Sequence, residues 1–462
     1  MNTHWAKIGK RAHHGICVPL FSLHSKRSPR CGTFLDLIPL IDWCKEVGFD
    51  VIQLLPLNDS GDDLSPYNPI SSCALHPKYL SLWELGVQSQ DQLFRLSKTP
   101  PASFTEKHPW LTPYAAFRAL KEQYHGAAWT QWPKGATADP KRVEFYTFLQ
   151  FHAFEQMAEA KRHADEQGVF LMGDLPFLVS PDSADVWDEP HLFDLHLEAG
   201  SPPDAFNLQG QRWGFPLINW AEMRKSQFAW WKRRLHTLET LVHMYRLDHV
   251  IGFFRTWGIE RGKQAVEGSY YPAEPSLWEQ QGTAILEMML GSSPLLPIAE
   301  DLGTTFEGMA SILKRFGICG TRVMPWQIEE GRYTPPEQYE PLSVTTLGTH
   351  DMPTLAVWWK TYPQMAKQFA EALHLNYQPL LNQTERLALL RAAHSTSSYF
   401  HIHLLQEYLA LIPELVSQNP EEEQINHPGV LLKTNWTYQY RPSIEEIQHH
   451  RALRELLQKL PL

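Results

Sequence analysis

No apolar run in this 462-residue sequence approaches the ~20 residues that a membrane-spanning helix requires, so a soluble chain with no membrane partner is expected. Cysteine is scarce. Cys17, Cys31, Cys44, Cys73 and Cys319 are odd in number, widely spaced and form no C-x-x-C pair of the kind zinc sites use, which fits a reducing cytoplasm. Also missing are G-x-G-x-x-G, a P-loop, H-E-x-x-H and G-x-S-x-G, so neither a cofactor nor a metal is expected. Basic residues are too few to balance the acidic ones, 41 against 51, and the net charge of −10 argues against nucleic acid or an anionic membrane as partner. Lys7, Lys10 and Arg11 precede the apolar GICVPLFSL at 15–23 much as in a signal peptide. However, His13, His14 and Pro19 dilute that run and no small-residue cleavage site follows it.

What is present is ordinary globular material, 43% hydrophobic and 20% charged, long enough for a large core. Short apolar runs bounded by turn residues alternate with longer stretches of helical periodicity, the pattern of βα units around a parallel sheet. Eight such runs can be counted: 16–20, 51–57, 169–176, 243–250, 296–302, 321–326, 344–351 and GVLLKTNW at 429–436. Eight is the number a (β/α)8 TIM barrel needs. Helices are expected from Pro39 to Gly48, along the stripe Phe145, Phe148, Leu149, Ala153, Met157, Ala160 and Ala164 up to Gly168, and from a capping box at Thr304 and Glu307 to a C-cap at Gly317. The region 355–425 reads as several more helices. Two stretches are too long for simple loops: 58–143 is read as an inserted subdomain after strand 2, and 177–220 as an inserted loop region after strand 3. In a barrel both would stand on the rim that carries active sites. The whole chain, 1–462, is read as one catalytic domain.

Carboxylates close several of these runs: Asp174 in MGDLP, Asp248 in YRLDH, Glu300 in PIAED and Asp351 in LGTHD. Such positions are costly for a charge unless it is paired or used. Strand alternation turns Arg246 and Asp248 to the same side, so the guanidinium would keep the carboxylate ionised. One strand alone leaves a bracing ion pair and a nucleophile equally open. Convergence of strands four, five and seven at one barrel end tips the reading toward glycosyl transfer. Cleavage of an acetal with retention needs one carboxylic acid to protonate the leaving oxygen and one carboxylate to meet the anomeric carbon, about 5–5.5 Å apart. Glu300 suits the acid if its neighbours raise its pKa, while Asp301 points the other way and reads as structural.

On these residues the chain resembles the amylomaltase, or 4-α-glucanotransferase, family of the α-amylase clan. The likeness runs from GICVPL to NWTYQY. It implies that Asp248 in RLDHV is the nucleophile with Arg246 beside it, that Glu300 in AEDLG is the acid/base and that Asp351 in THD stabilises the transition state. By the same resemblance His350 would bond a sugar hydroxyl and Asp174 would support the nucleophile. Ser65, Pro66 and Tyr67 match the family's S-P-Y, and PPDAFNLQGQRWGFP at 202–216 matches its groove loop, implying Gln211 and Trp213 as glucan contacts. Tyr67 and Trp213 offer apolar faces for glucose C–H surfaces and polar tips for hydroxyls. The implied activity is cleavage of an α-1,4-glucan and transfer of the glycosyl segment to the 4-hydroxyl of an acceptor, with maltodextrins or glycogen-derived glucans as partners. A hydrolase on the same scaffold and a non-catalytic glucan-binding protein are the alternatives. Trp230, Trp231, Trp358 and Trp359 lie in helical contexts and are expected to pack in the core or at the rim. The pairs His13/His14, His401/His403 and His449/His450 are read as surface or packing residues.

Overall fold

The computed structural model describes residues 4–203 and 208–462. Eight parallel strands form one sheet: β1 His13–Val18, β2 Val51–Leu54, β3 Phe170–Leu175, β4 Met244–Leu247, β5 Leu296–Ala299, β6 Gly320–Val323, β7 Ser343–Thr346 and β8 Phe400–Leu404. Each pairs with its neighbours in chain order, and β8 returns to β1. The circle closes between β5 and β6 through a parallel bridge from Ile298 to Cys319, where Ala299 N–H donates to Cys319 O at 2.7 Å. The fold is therefore a (β/α)8 barrel. All residues of β1, β5, β7 and β8 are buried, as expected of strands covered by helices outside and packed side chains inside.

The eighth strand is not where the apolar run GVLLKTNW suggested. Residues 429–436 form an irregular loop in which Leu431 is fully exposed, while FHIHL closes the barrel within the region read as all-helical. His401 and His403 disguise that strand as polar, yet both are buried, His401 stacked on His14 and His403 edge-on to His394. A second expectation also fails. The helix after β5 begins at Met309 with Gly308 as N-cap at φ 96°, not at a capping box of Thr304 and Glu307, although it does end at Gly317 in the left-handed conformation.

Other helix limits follow local chemistry. Leu37–Val47 ends on left-handed Gly48. Pro140–Gln167 begins with Asp139 accepting from Lys141 N–H, has Pro140 in its first turn, and ends on left-handed Gly168. Its stripe from Phe145 to Ala164 is buried apart from half-buried Phe148, and Trp230, Trp231, Trp358 and Trp359 are all buried.

Between β2 and β3 the chain forms the helices Gln90–Leu96, Ala102–Lys107 and Leu111–Gln123. A buried carboxylate pins this excursion. Asp59 accepts from Tyr114 Oη at 2.6 Å and Gly61 N–H at 2.9 Å, with Arg118 at 3.5 Å and His76 at 3.7 Å. Burial raises the Asp59 pKa, but Arg118, His76 and these hydrogen bonds outweigh it, so the carboxyl sits below its ordinary range. Its contribution to stability is thus present above the unfolded value and is lost as pH falls through the folded one. Asp59→Ala leaves the Arg118 charge unpaired and is expected to lower unfolding stability by about 3 kcal/mol, measurable by urea denaturation at neutral pH.

After β3 the chain builds a sheet rather than a plain loop. Strands Gln211–Ile218, Phe193–Ser201, Thr256–Glu260 and Ser269–Tyr271 pair antiparallel in that order. The accessory sheet thus joins residues from before and after β4, and brings Trp213 to the C-terminal end of the barrel beside His249.

Candidate active site

Register places the polar centre of the site. Asp174 on β3 lies opposite Arg246 on β4, and Arg246 lies opposite Ile298 on β5, one turn of the ladder before Glu300. Arg246 Nη1 donates to Asp174 Oδ1 at 2.9 Å and to Asp248 Oδ1 at 2.9 Å, and its Nη2 stands 3.8 Å from Glu300 Oε2. One guanidinium therefore reaches three carboxylates from three strands. Burial disfavours its charge, but Asp174, Tyr67, Asp248 and Glu300 together hold its pKa well above the ordinary value.

The carboxylates differ in surroundings. Asp174 is fully buried and also accepts from Tyr67 Oη at 2.6 Å. Asp248 is 24% exposed and accepts from Arg246 through Oδ1. Glu300 accepts from His249 N–H and Leu302 N–H, each at 2.9 Å. Its burial and the nearby Asp248 push its pKa up, Arg246 and the two amides pull it down, and the result is about 7. Asp351, 45% exposed, lies in the turn after β7. Burial pushes its pKa up, but His350 at 3.2 Å, Asn426 donating at 2.7 Å and Arg246 overcome this and hold it at about 2. Near neutral pH the site thus holds a carboxyl poised to exchange a proton beside one that stays ionised.

Asp301 faces away from this centre, as strand alternation requires. It accepts from Thr321 N–H at 2.6 Å and pairs with Arg322 at 3.2 Å. A Cβ on Gly320 would meet Asp301 Oδ2 at 2.3 Å, so a larger residue there would displace the Asp301 carboxylate.

The remaining sequence-derived residues are distributed as follows. The Tyr67 ring stacks on His350, 5.0 Å between centroids and 14° between planes. Ser65 shapes the approach to it, its Oγ accepting from Tyr67 N–H at 3.3 Å. Trp213 stands edge-on to His249 at 4.9 Å and donates from Nε1 to Gln211 Oε1 at 3.1 Å. Residues 204–207 of the PPDAFNLQGQRWGFP stretch lie outside the described residues. A cavity of about 40 Å³ within the barrel beneath this centre is lined by Cys17, Gln53, Arg246, Glu300, Thr321 and His350, among others. Among the described residues, no three His, Cys, Asp or Glu side chains could hold a metal ion, and no helix is long and apolar enough to cross a membrane.

Three contributors escaped the sequence reading. Asn426 bonds Asp351, Trp436 packs its ring 5.6 Å from Tyr67 and 5.8 Å from His350, and His249 donates to Glu300. Trp436 ends the irregular segment misread as a strand and Asn426 lies three residues before that segment, where periodicity carries no information. The only available signal for His249 was its place next to Asp248.

Comparison with known proteins finds similar sequences and similar folds. A family model described as 4-alpha-glucanotransferase matches residues 18–100 and 88–445. A 4-alpha-glucanotransferase of Chlamydia pneumoniae is 41% identical over 99% of this chain and 96% of its own length, and one of Thermus thermophilus is 29% identical over 89% and 91%. Among solved structures, the amylomaltase of Streptococcus agalactiae in complex with acarbose superposes with a TM-score of 0.81 at 24% identity, covering 97% of this chain and 98% of that one. The amylomaltase of Corynebacterium glutamicum gives 0.82 at 20% identity, covering 99% and 76%. These two likenesses concern the barrel fold.

Proposed function

The chain belongs to the 4-alpha-glucanotransferase family, and we propose that its glucan transfer proceeds by double displacement through Asp248, Glu300 and Asp351. Glu300 protonates the glycosidic oxygen while Asp248 attacks the anomeric carbon, so that the C–O bond to the leaving glucan breaks as the C–O bond to Asp248 forms. The leaving glucan departs with the proton. Glu300, now ionised, removes the proton from the incoming 4-hydroxyl, whose oxygen displaces Asp248 and restores an α-1,4 bond with retained configuration. Asp351 strengthens its contacts to the sugar 2- and 3-hydroxyls as positive charge grows at the ring. His350 bonds a hydroxyl of the same sugar, and Asp174 and Tyr67 brace Arg246 beneath the nucleophile.

The single observation that carries this reading is the shared guanidinium, within 2.9 Å of Asp248 and 3.8 Å of Glu300. It keeps the two carboxyls near each other, and burial pushes the Glu300 pKa up to about 7. Maltodextrins, including those from glycogen breakdown, fit as substrates, with Gln211 and Trp213 contacting the chain. The helical excursion 58–143 and the segment 177–220 act as walls that favour an acceptor sugar over water. Maltotriose alone separates transfer from hydrolysis. Chromatography of the products is expected to show glucose together with maltodextrins longer than three units. Glucose and maltose without longer species would replace this reading with hydrolysis.

A further inference from the structure

The chain departs from regular strand geometry directly after Asp248. Glu300 N–H donates to Leu247 O at 3.0 Å, and in an undisturbed parallel ladder the Glu300 carbonyl would then accept from His249. It accepts instead from Val250 N–H, at 3.1 Å. His249 is the extra residue of a bulge, with φ 47° and ψ 55° in the left-handed region that non-glycine residues seldom adopt. Its N–H, released from the ladder, points at Glu300 Oε2 at 2.9 Å, while Leu302 N–H takes Oε1 at 2.9 Å. Each carboxyl oxygen thus receives one main-chain hydrogen.

The conformation is held from outside the barrel strands. The imidazole lies edge-on to Trp213 at 4.9 Å and tilted against Phe177 at 6.0 Å. The turn is closed by Gly252 N–H donating to His249 O at 2.8 Å, and Gly252 lies so close to Phe177 that a Cβ there would meet the ring at 2.5 Å. An unusual backbone so placed beside a reacting group is the kind of feature from which a role can be inferred.

We propose that His249 is a positioning residue for Glu300: its left-handed backbone, seated by the imidazole between Trp213 and Phe177, supplies the N–H that orients the carboxyl and limits its proton affinity. This rests on the reading of Glu300 as acid/base. An amide hydrogen stabilises the ionised carboxylate, so the bulge opposes the upward push of burial and Asp248. Other charged or titratable groups at Glu300 are Arg246 on β4, which bonds Asp174 on β3, and Cys17 on β1 and His350 after β7, which line the same cavity. A group that must release a proton in one half-reaction and recover it in the next works best near the ambient pH, where the bulge helps to keep it.

All the variants remove the imidazole and differ from one another chiefly in the ease of adopting the left-handed backbone. H249N and H249G can hold it at little strain, whereas H249V cannot. Initial rates of maltotriose disproportionation are followed from pH 5 to about 9 alongside thermal melting. H249V is expected to lose about 10- to 100-fold in kcat and to shift the alkaline limb upward by about one pH unit, as loss of a hydrogen bond to the ionised form requires. H249N and H249G are expected to recover at least about tenfold of that loss and to keep the limb in place, whatever the loss of imidazole packing does to melting. Should H249V fail to fold, H249A, with a smaller left-handed penalty, is expected to fall between. Equal loss in all the variants, or an unshifted limb in H249V or H249A, overturns the proposal. Glu300→Gln is the reference: if it keeps wild-type transfer, the acid/base reading falls and His249's role with it. If it is inactive while H249V behaves as wild type, only the inference about His249 falls.

Discussion

Replacing Asp248 with asparagine is expected to lower kcat for disproportionation on the order of 10⁴-fold or more, with little change in glucan affinity or melting temperature. An amide cannot form the glycosyl ester, so no amount of correct positioning restores the first half-reaction. The fold should tolerate the change, because Arg246 keeps its two bonds to Asp174, at 2.9 and 3.0 Å, when the Asp248 contact is weakened. Calorimetric binding of maltoheptaose to the variant separates the two effects. Near wild-type affinity with no turnover marks a group used in the chemistry, whereas loss of binding or of cooperative melting would return Asp248 to the status of a bracing ion pair.

The second large effect belongs to Glu300. Glu300→Gln is expected to cost about 10²- to 10⁴-fold in kcat on maltotriose and to remove the alkaline limb of the pH profile. In the wild type kcat/KM should decline above about pH 7, since the first half-reaction needs the protonated form of a group with that pKa. Asp351 remains ionised down to about pH 2 and sets no limb near neutrality. Maltosyl fluoride distinguishes a missing proton donor from general damage, because fluoride leaves without protonation. The variant should release a stoichiometric burst of fluoride and then stall, having lost the base that activates the acceptor. Absence of the burst would show that Glu300 does more than transfer protons.

Much of this arrangement was readable in the sequence, for physical reasons that also mark the limits. The barrel strands are buried on both faces and therefore appear as short apolar runs, and carboxylates at their ends stand out because nothing else explains charge there. Alternation alone put Arg246 beside Asp248, and turned Asp301 away toward Arg322. The family resemblance supplied Tyr67 and Trp213, which no periodicity would have singled out. β8 was missed because its two buried histidines break the apolar pattern, while an exposed apolar loop imitated a strand. Trp436 reaches the site from the end of that loop and Asn426 from just before it, the latter 75 residues from Asp351, a proximity that no local pattern encodes. The bulge at His249 is likewise invisible, since no turn-forming residue marks it and its contacts with Trp213 and Phe177 come from distant segments.

The most direct measurement is to trap the glycosyl-enzyme. Glu300→Gln incubated with maltosyl fluoride, digested at low pH and sequenced by mass spectrometry should yield a peptide spanning Leu247 to His249 with one maltosyl group esterified to Asp248. A maltosyl group on any other side chain, or no adduct together with products of inverted anomeric configuration by NMR, would contradict the account.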